Sequence, residues 1–99
     1  MASYGSFEEL DCWKKCRKVR IWVEELINNK ISKHDFDMIQ NIRRAARSST
    51  RNIAEGFGRH HHKENIQFCR ISRGSLFEIK EDLNICCDEG NLKKEDIQD

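Results

Sequence analysis

Apolar positions recur along most of the chain in alternating steps of three and four, the spacing of helices that bury one face. Cys12, Cys16, Val19, Val23 and Leu26 form one such stripe and predict a helix over about residues 7–29. Ser32 precedes a second run, Ile39, Ile42, Ala46, Ser49, Ile53 and Gly56, which predicts a helix over about 34–57 that Gly56 and Gly58 allow to stop. After a polar loop at 59–63, Cys69, Ser72, Leu76, Ile79, Leu83 and Cys86 carry the pattern through a third helix over about 63–88, until Gly90 ends it. Asn91 could cap a last short stub over 92–99, too short to span a bundle. There is no proline and no sustained apolar–polar alternation of the strand type. The expected fold class is therefore all-α: an antiparallel up-and-down helical bundle of three long helices plus a truncated fourth-helix stub, in a single domain.

Composition narrows the function classes. With 99 residues, 37% of them hydrophobic and 35% charged, the chain can build one thin core and no separate catalytic lobe, so self-association is a natural way to bury more apolar area. The longest apolar run is Ile21, Trp22, Val23, and the first ten residues lack the pattern of a basic start followed by an apolar stretch, so no membrane span is expected. Five cysteines, Cys12, Cys16, Cys69, Cys86 and Cys87, show no zinc-framework spacing and fit a reducing cytoplasm as small buried hydrophobes. No metal and no cofactor is expected.

Charge changes the picture more. Formal net charge is only +1, yet the stretch 40–75 holds Arg43, Arg44, Arg47, Arg51, Arg59, Lys63, Arg70 and Arg73 against Glu55 and Glu64, while 76–99 is acidic. A basic block of this kind could neutralise phosphates, or it could meet the acidic end of a neighbouring subunit, and both readings are open. At helical pitch Gln40, Arg44, Arg47, Arg51 and Glu55 share the face of the second helix opposite its apolar stripe, with Arg51 and Glu55 spaced as an exposed ion pair. In the third helix Gly74 and Phe77 fall away from the stripe, as Leu10 and Ile21 do in the first, and point to contact with a partner. Trp13 and Trp22 flank the first stripe and are expected to pack rather than stack on bases. Glu55 with His60, His61 and His62 is the one conceivable acid/base or metal set. Consecutive loop histidines point in different directions, no nucleophile elbow or phosphate-binding glycine loop accompanies them, and an enzyme is not expected.

The middle of the chain carries a motif, Gln40, Ile42, Arg43, Arg44, Ala45, Ala46, Ser48, then Asn52, Ile53, Ala54, Glu55, Gly56, Phe57, Gly58, Arg59. With Phe7, Leu10 and Trp13 before it, and Phe68, Gly74, Ser75, Leu76, Glu78 and Leu83 after it, the chain resembles the 23S rRNA intervening-sequence four-helix-bundle family over nearly all of residues 7–92. The resemblance implies a bacterial cytoplasmic protein that assembles as a ring-like homopentamer. Relatives include the accessory variability determinant of diversity-generating retroelements, which implies nucleic-acid binding and, by analogy, a reverse transcriptase as partner. Two departures from the family pattern stand out: Ser49, Thr50 and Arg51 replace an apolar residue followed by proline or a small residue, which predicts looser packing there, and the long fourth helix is absent before Asp99, which predicts an uncovered groove between the first and third helices.

The expected function is thus a small non-enzymatic oligomeric bundle that binds RNA or DNA through a basic surface of the second and third helices. The phosphate-contacting candidates are Arg43, Arg47, Arg51, Arg59, Lys63, Arg70 and Arg73, and the oligomer-interface candidates are Leu10, Ile21, Arg44, Glu55, Gly74 and Phe77. The alternative is a ring-forming protein–protein scaffold that binds no nucleic acid.

Overall fold

The computed structural model describes residues 5–59 and 62–97, and the side chains of His62 and Glu64 lie outside that description along with His60 and His61. Three helices, α1 (Asp11–Asn29), α2 (Phe36–Phe57) and α3 (His62–Asp88), run up, down and up in a rod of 49 × 19 × 18 Å. The sequence prediction of an all-helical bundle holds. Each step back along α2 meets a step forward along α3: Gly56 faces Phe68, Ser49 faces Ser72, Ser48 faces Ser75 and Arg44 faces Glu78.

The helix ends differ from expectation in instructive ways. The first α-helix begins at Asp11, not Phe7, because Phe7–Glu9 closes as a separate 3-10 turn capped by the Ser6 hydroxyl, and Leu10 is extended. Ser32 does not cap α2. Its hydroxyl accepts the His34 amide at 3.3 Å, so it shapes the turn, and the helix starts at Phe36. Gly56 and Gly58 do not end α2 through special backbone geometry either, since among the described residues only Gly90 has positive φ, at 84°. At that end of α3 the Asn91 amide reaches Cys86 O (2.8 Å) and the Gly90 amide reaches Cys87 O (3.1 Å), the paired bonds of a Schellman stop. Asn91 caps nothing beyond it. Its side chain donates to Asp35 at 3.3 Å, and the terminal stub is a single 3-10 turn, Lys94–Ile97.

The core follows the three stripes. Val23, Leu26 and Ile27 of α1, Ile39, Ile42, Ala45 and Ala46 of α2, and Ile79, Leu83 and Cys86 of α3 pack as one buried cluster, joined by Ile31 and Leu92 from the loops. Cys12 and Cys69, at the open end of their stripes, are exposed. A groove between α1 and α3 is present, lined by Val19, Trp22, Leu76, Ile79, Leu83 and Ile97, with a volume of about 360 Å³.

Near Gly56 and Ser49 the packing is tight rather than loose. The Ser49 hydroxyl is buried and donates to Ala46 O at 2.7 Å, while the Ser72 hydroxyl of α3 donates to Ser49 O at 2.6 Å. Ser75 Oγ lies 2.9 Å from Ser48 Oγ, which also accepts from the Asn52 amide at 2.9 Å. Small polar side chains thus let the two helices approach closely while every hydroxyl in the contact keeps a partner.

One buried group has none. Asp82 Oδ2 on α3 is sealed from solvent without a hydrogen-bond partner among the described residues. Burial, followed by the charge of Glu78, raises its carboxyl pKa, with Arg44 pulling the other way. The folded chain therefore holds this proton more tightly than the unfolded chain, and it gains stability as pH falls from the raised folded pKa toward the ordinary carboxylate range. An Asp82→Asn variant is expected to be more stable at pH 7 by about 1 kcal/mol, seen as a melting temperature higher by roughly 5 °C, with the gain shrinking on acidification through that window. A variant that melts lower at pH 7, or a gain independent of pH, would contradict this account.

Candidate functional site

The arginines that charge counting groups together are separated by the fold. α1 and α2 diverge on one side and leave a groove of about 450 Å³ lined by Arg20, Ile21, Val23, Glu24 and Ile27 from α1 and by Arg43, Ala46, Arg47 and Arg51 from α2. It continues past the same Arg20, Arg47 and Arg51 into a second hollow of about 320 Å³ bounded by Phe7, Trp13, Thr50 and Ala54. Spacing explains the convergence: Trp13 and Arg20 are two turns apart on one side of α1, and Arg47, Thr50, Arg51 and Ala54 are successive three- and four-residue neighbours on α2.

Within the groove the cations are not equivalent. Arg43 is fully engaged: its Nε lies 3.1 Å from both Glu24 oxygens and its Nη2 donates to Glu24 Oε1 at 2.7 Å. That bond holds the Glu24 carboxyl below its usual pKa and raises Arg43. Arg20 donates through Nη1 to Thr50 Oγ1 at 2.7 Å, which orients its guanidinium without cancelling its charge. Arg47 and Arg51 are exposed and, among the described residues, in no ion pair. Three uncompensated guanidinium groups therefore face one channel whose only lining carboxylate among the described residues is already neutralised. At its far end the Phe7 and Trp13 rings meet edge to face with centroids 5.5 Å apart, both half-exposed.

The other candidates lie elsewhere. Arg59 pairs with Glu55 at 3.0 Å, in place of the expected Arg51–Glu55 pair, and its guanidinium sits 5.5 Å from the Phe68 ring centre. Lys63, Arg70 and Arg73 are exposed on α3 and line neither hollow. Of the interface candidates, Arg44 is tied to Glu78 of α3 at 2.6 Å and Glu55 to Arg59, so both charges are satisfied within the chain. Ile21 is exposed at the groove edge, Leu10 is half-buried at the joint before α1, and Gly74 and Phe77 lie on the outer face of α3. Arg20, Thr50 and Trp13 are the residues that sequence reasoning left out of the site. The two-turn spacing of Trp13 and Arg20 was the available signal, but it points nowhere until α2 is placed beside it.

Other chemistry finds little support in the geometry. Burial raises the thiol pKa of Cys16, and that of Cys86 to about 11, so both stay protonated near neutral pH. The triad His60, His61, His62 falls outside the described side chains, and among the described residues no group of three or more His, Cys, Asp or Glu is placed to hold a metal ion. No described helix is long and apolar enough to cross a membrane.

No curated protein and no solved structure matches the chain. The family description "23S rRNA-intervening sequence protein" does match, through a family model that spans residues 8–99 and so takes in all three helices and every groove residue but Phe7. On that match, and in agreement with the motif running from Gln40 to Arg59, the chain belongs to the 23S rRNA-intervening sequence protein family.

Proposed function

We propose that this protein is a non-catalytic nucleic-acid-binding protein whose contact surface is the α1–α2 groove. The observation that carries the reading is the convergence of Arg20, Arg47 and Arg51 on one channel that, among the described residues, is free of uncompensated carboxylate. Guanidinium groups present fixed forks of donors that match phosphate oxygens, and the Thr50 hydroxyl sets one of them in place. A strand laid along the groove would put successive phosphates against the arginines and a base beside Trp13, whose half-exposed ring offers a stacking surface. This moves the expected surface from the second and third helices to the first and second. A family described by an intervening sequence of 23S rRNA is compatible with an RNA ligand.

Binding of a fluorescein-labelled single-stranded oligouridylate, and of its DNA counterpart, followed by anisotropy across a salt series tests the proposal. Three phosphate contacts predict a slope of about −2 in log affinity against log salt. Absence of binding at low salt, or binding indifferent to salt, would refute it.

A further inference from the structure

The arginine groove does not end at Trp13. That residue bounds the hollow it shares with Arg20, Arg47 and Arg51, and it also bounds a further hollow of about 380 Å³ whose other lining residues are Glu8, from the turn before α1, and Lys14, Arg17 and Lys18 of α1 itself. Helical spacing makes the junction: Arg17 follows Trp13 by one turn, Lys18 follows Lys14 by one turn, and Arg20 follows Trp13 by two on the side that meets α2. Lys14, Arg17 and Lys18 are exposed and, among the described residues, in no ion pair. Glu8 is the one carboxylate among the described residues that lines this hollow, against three cations.

The indole common to the two hollows is held in place. Its ring meets the Phe7 ring edge to face with centroids 5.5 Å apart, Phe7 is fixed in the 3-10 turn that Ser6 caps, and Trp13 stays half-exposed. Cations on both sides of one positioned aromatic ring match a polymer that carries planar groups between regular negative charges, which is a single nucleic-acid strand. A duplex also offers phosphates, but its bases are paired and stacked inside, and none is free to lie on an indole. An acidic peptide offers the charge without a regular planar group.

We propose that the ligand of this protein is an unpaired strand that crosses α1 over Trp13, with phosphates held on one side by Arg20, Arg47 and Arg51, on the other by Lys14, Arg17 and Lys18, and a base stacked on the Trp13 ring between them. It rests on the groove reading, adds a second phosphate subsite built from α1, and makes unpaired bases the feature recognised.

Anisotropy across a salt series tests this, with a fluorescein-labelled mixed-sequence RNA of about 12 nucleotides used alone and annealed to its complement. Contacts confined to the groove give a slope of about −2 in log affinity against log salt, and three more on α1 steepen it to about −4 for the single strand. The triple variant Lys14→Gln, Arg17→Gln, Lys18→Gln is expected to return the slope to about −2 and to weaken single-strand binding at least about tenfold at low salt. The duplex should bind at least about tenfold more weakly than the single strand, and Trp13→Leu should remove most of that difference. Because leucine also loses the Phe7 contact, a second readout uses Trp22→Phe, in which Trp13 is the one remaining tryptophan: its emission should be quenched by the single strand and not by the duplex. Equal affinity for strand and duplex, a slope that the triple variant leaves unchanged, or unquenched Trp13 emission in the bound complex, with binding still weakened by Arg47→Glu and Arg51→Glu, would overturn this extension and leave the groove reading standing. Loss of binding to every probe would overturn both.

Discussion

Gly56→Val is expected to be the most damaging single substitution in the chain. A Cβ built at Gly56 would stand 2.7 Å from the Asn65 side-chain oxygen and 2.9 Å from Phe68 Cβ. The first neighbour can rotate away, but the second is fixed to the α3 backbone and moves only if the helices part. Even Gly56→Ala should therefore cost about 2 kcal/mol, in spite of the roughly 1 kcal/mol that alanine gains over glycine in a helix. Valine adds two methyl groups to the same gap and should cost several kcal/mol, a large share of what a domain of this size has to lose. Urea unfolding followed by circular dichroism would read the loss directly, with a melting temperature lower by roughly 10 °C for the alanine variant. Gly74 supplies the internal control: the same change in open space has no clash to oppose the propensity gain. If Gly56→Ala unfolds no more easily than the wild type, the close approach of α2 and α3 at this point is wrong.

The second large effect concerns binding. Arg47→Glu combined with Arg51→Glu removes two of the three uncompensated cations of the groove and replaces them with anions, so affinity for single-stranded nucleic acid at low salt should fall about 100-fold or more. Both side chains are exposed and, among the described residues, unpaired, so melting should stay close to that of the parent. Arg70→Glu combined with Arg73→Glu is the informative contrast. It makes the same change of charge at exposed positions of α3 that line neither hollow, and it should change affinity little. Anisotropy titrations of the three proteins would separate a local arginine channel from a diffuse effect of net charge, which would weaken binding in proportion to the charge removed.

Much of the fold was legible because its cause is periodic. The stripes from Val23 to Leu26, Ile39 to Ile53 and Ile79 to Cys86 report burial directly, and the Gly90 stop follows from one residue able to take positive φ. The start of α1 was not legible: Phe7 and Leu10 continue the apolar spacing, but Ser6 caps a short turn and the Phe7 ring leans on Trp13, which outweighs one more helical turn. Gly56 was visible as a residue and misleading as a signal, since its use is absence of bulk against another helix rather than backbone freedom. The binding surface was half legible. Counting charge in blocks found Arg47 and Arg51 but grouped them with Arg59, Arg70 and Arg73, which face elsewhere, and it passed over Arg20 because the stretch 1–39 is neutral as a whole. Charge along a chain is a one-dimensional quantity, whereas a groove belongs to two helices at once.

The hydroxyl seam formed by Ser48, Ser49, Ser72 and Ser75 bears on how α2 and α3 find their alignment. Apolar side chains would tolerate a slide of one helical turn, because one aliphatic neighbour substitutes for another at little loss. Hydroxyls tolerate it less: the buried Ser72 donor must meet Ser49 O, and a displacement of about 5.4 Å would strand it in a dry contact, while Ser75 and Ser48 would lose each other and keep only their own-helix partners, Ile71 O and the Asn52 amide. The seam thus works as a key cut to a single position, giving a thin core with few large side chains a way to reject every alignment but one.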